Sequence, residues 1–171
     1  SAMLSMSVDV SLENLMRASV STYHPSKNIA LKEGYTASYV IRELNKLNVS
    51  KTMDLNRDSF RNSGHSLQFY TNSHSLVVYD KVQDLKKPEK RAIDKDQNAL
   101  QLSLFDALVK KKHSEVLRVE VRLCKKVKMN TVLKSLGFAE NPTFRDVFRK
   151  KVCQKIVQNY WQQLVMSKHQ F

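Results

Sequence analysis

Cysteine, acidic residues and long apolar runs are all scarce in this chain. The two cysteines, Cys124 and Cys153, do not stand at metal-ligand spacing. They read as free thiols in a reducing compartment, which sets the expectation of a cytoplasmic protein. No apolar stretch approaches the roughly 18 residues of a membrane span, and no secretory signal pattern is present. A membrane partner is therefore not expected. No repeat or linker subdivides the sequence, so a single domain over residues 4–171 is expected, with Ser1-Ala2-Met3 read as the scar of a removed tag.

What is present is a globular composition with a strong excess of one charge. Hydrophobic residues make up 42% of the 171 residues and charged residues 26%, enough for one domain with a real core. Lysine and arginine total 29 against 16 acids, a formal charge of +13. Such a field attracts polyanions, and phosphate neutralisation with counterion release drives nucleic-acid binding. Acidic proteins and membrane surfaces compete for the same charge. No basic amphipathic helix with exposed bulky apolar residues stands out, which puts nucleic acid ahead.

The most informative stretch runs from Gly64 to Lys81. Ser66 to Tyr70 and Ser75 to Tyr79 read as two strands joined by the polar turn Thr71-Asn72-Ser73. Alternation puts Leu76 and Val78 on one face, and Val77, Tyr79 and Lys81 on the other. A later strand, Val116 to Leu123, sets Leu117, Val119, Val121 and Leu123 opposite Arg118, Glu120 and Arg122. Met6 to Val10 also alternates, with Asp9 on its polar side.

Helices are expected over Leu12 to about Ala18, capped by Ser11, over Thr36 to Leu47, and over Lys128 to Leu136 with Gly137 beyond it. Asp94 to Lys110 forms an amphipathic pattern around Leu100, Leu104 and Leu108. A last helix is expected from a Thr143 cap, with Asp146 in the capping-box position, unbroken to about Met166. Its apolar stripe includes Val147, Phe148, Val152, Ile156, Tyr160, Trp161 and Leu164. Ser21 to Lys32 reads as loop, a short strand is placed near Thr52 to Leu55, and Lys86-Lys87-Pro88-Glu89-Lys90-Arg91 is a basic loop. The fold class expected is α+β: an antiparallel sheet with helices on one face and the other face open.

Two motifs carry a family resemblance. Tyr79-Asp80-Lys81 at a strand end, followed by Arg118-Val119-Glu120-Val121-Arg122-Leu123, resembles the rolling-circle replication initiation proteins of plasmids and filamentous phages. The match is best over Gly64 to Lys134, with Ser7-Val8-Asp9-Val10 similar to the family's early strand. The resemblance implies a Rep-nuclease-like fold and a nicking endonuclease acting on single-stranded origin DNA. It implies Tyr79 as nucleophile, forming a 5′-phosphotyrosyl intermediate, with Tyr70 as the alternative. Lys81 would stabilise phenolate or phosphate.

Asp9 and Glu120 would hold Mg²⁺ or Mn²⁺, hard cations suited to oxygen ligands. Arg118, Arg122, Lys86, Lys87, Lys90, Arg91, Lys125 and Lys126 are the candidate DNA contacts. A host helicase is a further partner the resemblance implies. The chain departs from many such nucleases in lacking a histidine-hydrophobic-histidine triplet; His65 and His74 read as surface histidines near a turn. It is also short for a full initiator and begins close to the first family strand, which leaves open a fragment that lacks upstream residues. A catalytically silent DNA-binding domain is the alternative. An RNA-associated basic protein is disfavoured by the absence of the aromatic-rich strand signature of RNA-recognition modules.

Overall fold

The computed structural model describes residues 11–49, 53–55, 57–85 and 115–167. Its centre is a five-stranded sheet, antiparallel at every pairing, in the order β1-β5-β4-β3-β2. The strands are β1 (Ser26–Ala30), β2 (Arg57–Arg61), β3 (Ser66–Tyr70), β4 (His74–Asp80) and β5 (Val116–Leu123). The α+β class expected from the sequence is what the chain adopts. The expected strand at Met6 to Val10, the helix at Asp94 to Lys110 and the basic loop at Lys86 to Arg91 lie outside the described residues.

Alternation in β3, β4 and β5 gives the sheet one apolar face. Leu67, Leu76, Val78, Val119, Val121 and Leu123 are fully buried there, joined by Phe69 and Leu117. Three helices contribute to the same core: α1 being Leu12–Arg17, these are α2 (Ala37–Leu44), α4 (Lys126–Ser135) and α6 (Lys150–Val165). They present Ile41, Met129, Leu133, Ile156 and Leu164, all at most 1% exposed. Each such side chain contributes about 2 kcal/mol relative to an exposed one. Two short helices complete the fold, α3 (Lys81–Leu85) and α5 (Phe144–Val147).

The helix caps follow residue chemistry. Ser11 Oγ accepts from Asn14 N, and Thr36 Oγ1 accepts from Tyr39 N. Asp146 and Thr143 form a capping box at α5. The capped helix nevertheless ends at Val147 and restarts at Lys150, where a single helix was expected. The reason is long-range. Tyr23 Oη donates to the Val147 carbonyl at 2.9 Å, the oxygen a continuous helix would offer to residue 151. The break turns Phe148 outward to 73% exposure and stacks it on Phe144 at 4.9 Å; it does not belong to the apolar stripe.

The two edges of the sheet differ from expectation. Ser21 to Lys32 is not all loop: Ser26–Ala30 is an edge strand on β5, extended by paired hydrogen bonds between Tyr23 and Leu123. An edge tolerates Pro25, which has no N–H to give. At the far edge the strand is Arg57–Arg61. Met53 to Leu55 is not a strand, and Asp54 there has φ of +50°.

Candidate functional site

The polar sheet face is built by register. Tyr79 pairs with Arg118 and Val77 with Glu120 across β4 and β5, and Ser26 of β1 pairs with Glu120 from the other side. Arg118 and Arg122 flank Glu120 at two-residue spacing, so all three project from one face. The centre of this face is more enclosed than the expected open platform: Ser75, Val77 and Glu120 are buried, Glu120 with 9% exposure.

Glu120 is the hub. Tyr79 Oη donates to Glu120 Oε2 at 3.3 Å. Arg122 Nε donates to Glu120 Oε1 at 2.7 Å, and Arg118 Nε lies 3.7 Å from Oε2. The Arg118 guanidinium is tied to β1 by a 2.8 Å bond from Nη2 to Ser26 Oγ. Its Nε is buried and makes no hydrogen bond within the protein. Burial pushes the Tyr79 phenol up to about 12; Arg118 opposes this, while Glu120 and Asp84 add to it. The phenol therefore stays protonated at neutral pH and acts as donor.

A cleft of about 510 Å³ opens beside this cluster, lined by His24, His65, Tyr79, Asp80, Asp84 and Glu120 among others. Asp80 is the last residue of β4 and is buried. Its Oδ1 caps α3 by accepting from Gln83 N at 3.0 Å, and its Oδ2 lies 3.3 Å from His65 Nδ1. His65 is thus part of the cleft wall and paired with a buried carboxylate. His74, also read as a surface histidine, is buried at 2% exposure against Thr71, Ser73 and Tyr160. Burial holds its pKa below the ordinary histidine value, with Lys128 adding to the effect.

The other expected site residues divide clearly. Lys81 does not stand on the strand face two residues beyond Tyr79. The strand ends at Asp80, Lys81 opens α3, and its ammonium pairs with Asp84 at 3.3 Å. Tyr70 shares the sheet face of Tyr79, but its partner is Ser75, four residues along β4 and so roughly 13 Å away. Lys125 and Lys126 are exposed where β5 gives way to α4. Asp9, Lys86, Lys87, Lys90 and Arg91 lie outside the described residues. Among the described residues no group of three or more His, Cys, Asp or Glu is placed to hold a metal ion.

Sequence reasoning missed His24, Asp80 and Asp84 as cleft residues, and the pairing of His65. The signal was the Tyr79-Asp80-Lys81 strand end, whose aspartate is well placed to cap a following helix. No helix among the described residues is long and apolar enough to cross a membrane. No family model, curated protein or solved structure matches the chain.

Proposed function

We propose that the chain is a DNA replication initiator of the rolling-circle type, or the part of one that carries its nicking site. The observation that carries this reading is the hydrogen bond from the Tyr79 hydroxyl to Glu120, set between Arg118 and Arg122 on a cleft-lined sheet face. Tyr79 is the nucleophile. Glu120 takes its proton as the phenol oxygen attacks phosphorus, which answers the difficulty of a phenol held at about 12. The tyrosyl oxygen–phosphorus bond forms, the phosphorus–3′-oxygen bond breaks, and the 5′ phosphate stays on Tyr79.

Arg118 and Arg122 neutralise the phosphate as charge develops, Arg122 from the cleft wall itself. The net charge of +13 supports single-stranded origin DNA as the partner. The antiparallel sheet with helices on its apolar face supports a Rep-nuclease-like fold. A host helicase belongs to the same proposal.

Mg²⁺ or Mn²⁺ held by Asp9 and Glu120 would neutralise phosphate charge. The described residues fit such an ion poorly: Glu120 is the only one of the pair among them, and its oxygens already accept from Tyr79 and Arg122. The same saturation of Glu120 favours one competing reading, a silent DNA-binding domain in which the cluster only braces the sheet.

The deciding experiment incubates the protein with a labelled single-stranded oligonucleotide pool, with and without Mn²⁺, and resolves products on a denaturing gel. A covalent band lost in Tyr79→Phe and in Glu120→Ala is expected. Salt-sensitive binding with no band under either condition would sink the nicking reading and leave the binding domain.

A further inference from the structure

We infer that His65, oriented by Asp80, is the general acid that protonates the departing 3′ oxygen, an inference that rests on the nicking reading above. Glu120 removes the proton from the attacking oxygen, but nothing in the Tyr79–Glu120–arginine cluster supplies one to the leaving oxygen. A 3′ alkoxide is a poor leaving group, so a proton donor there accelerates cleavage by about 10²–10⁴-fold.

Two independent features set His65 apart from a surface histidine. The first is its pairing. Asp80 is 4% exposed, and its two oxygens go to the Gln83 N–H and the His65 ring. The backbone repeats the link, with Asp80 N donating to the His65 carbonyl at 3.0 Å. The ring's Nδ1 faces Asp80, which leaves Nε2 outside that contact on a side chain lining the same cleft as Tyr79. A carboxylate behind one ring nitrogen orients the imidazole and fixes which nitrogen faces the cleft.

The second feature is backbone strain. The three residues before His65 all have left-handed backbone: Asn62 at φ +56°, Ser63 at +53° and Gly64 at +88°. For asparagine and serine this conformation costs on the order of 1 kcal/mol each, and such strain concentrates at functional sites. A side chain at Gly64 would also meet the Phe60 ring at 3.1 Å. The turn delivers His65 to the strand end where Asp80 waits.

The proton balance closes. In the proposed step the acid form of His65 gives its Nε2 proton to the 3′ oxygen as the phosphorus–oxygen bond breaks. It ends neutral, while Glu120 ends protonated. Religation runs the same transfers backwards. The charged and titratable groups around His65 in the cleft are Asp80, Asp84, Tyr79, Glu120, Arg122 and His24.

The test uses the leaving group. The nick position is mapped from the adduct trapped on the oligonucleotide pool. Single strands are then made with either the natural 3′ oxygen or a 3′ sulfur at that bond. A thiolate leaves without protonation, a thiol pKa being about 8.5. His65→Ala is expected to slow adduct formation at least 100-fold on the oxygen ester and less than tenfold on the sulfur ester. His65→Gln, which keeps the bulk of the ring, guards against loss of folding and is expected to match it. Asp80→Asn keeps the α3 cap, for which asparagine is as good as aspartate, and should give an intermediate, likewise sulfur-rescued defect.

Equal slowing on both esters, or none on either, overturns the role of His65. Tyr79→Phe should abolish the adduct on both; if it does not, the nucleophile assignment fails while the His65 leaving-group pattern is still read. No adduct from the unaltered protein on either ester overturns both readings together.

Discussion

Replacing Glu120 by glutamine tests the site's electrostatics directly. The side chain keeps its shape and an acceptor oxygen for the Tyr79 hydroxyl, but two guanidinium groups lose their counter-charge. Arg122 Nε sits 2.7 Å from the carboxylate, yet the Arg122 side chain is 37% exposed, so solvent screening limits its share to about 0.5–1 kcal/mol. Arg118 is more enclosed, at 21% exposure, and 3.7 Å from the carboxylate; its share is about 1–2 kcal/mol. The sum, about 2 kcal/mol, lies below the roughly 3–5 kcal/mol for breaking a fully buried ion pair. For a chain of this length it corresponds to a fall in Tm of about 4–8 °C.

Urea unfolding at neutral pH, with the slope unchanged, measures it. The Tyr79 phenol, read by its ultraviolet titration, should also move towards the ordinary tyrosine value, because Glu120 is one of the charges raising it. A loss under about 0.5 kcal/mol, or an unmoved phenol, would refute the view of Glu120 as the hub.

Two further outcomes are expected. Tyr79 and Tyr23 are each pushed up to about 12, chiefly by burial. A group whose pKa is higher folded than unfolded contributes stability that is complete below the unfolded value and lost as pH rises through the folded one. Stability should therefore hold to about pH 10 and fall between about pH 10 and 12, by of order 2 kcal/mol per tyrosine after allowance for partial exposure; Tyr79→Phe should blunt the fall in an alkaline melting series. Lys125 and Lys126 are exposed at the sheet margin, so Lys125→Ala and Lys126→Ala should each lower the slope of log affinity against log salt for single-stranded DNA by about one, as measured by fluorescence anisotropy.

The central strands were legible because each obeys a period of two with a clean apolar side, as in Leu117, Val119, Val121 and Leu123. The edge strands were not. Ser26–Ala30 follows a proline, and Arg57–Arg61 carries a single bulky apolar residue, Phe60, which is 44% exposed. The helix break at Phe148 was hidden because its cause is a hydroxyl 124 residues away in sequence. Within the site, alternation placed Tyr79 and Glu120 on polar faces, but only pairing register sets them against each other. Lys81 was misplaced because Asp80 both ends a strand and caps a helix. The His65–Asp80 pair depends on three left-handed residues in a row, and of these only Gly64 announces itself in sequence.

The sheet order has a kinetic consequence. β2, β3 and β4 are neighbours both in sequence and in space, so they can zip together through short loops. The site needs much longer closures: 41 residues between Tyr79 and Glu120, and 92 between Ser26 and Arg118. Such contacts are slow to form and carry the larger loop entropy. A partly opened molecule can thus keep the hairpin that bears Tyr79 and His65 while β5 is detached. In that state the phenol has lost its hydrogen bond to Glu120 and both neighbouring arginines. The Tyr79–Glu120–arginine cluster is therefore complete only in the fully assembled sheet, and the nicking proposed for it would need β5 in place.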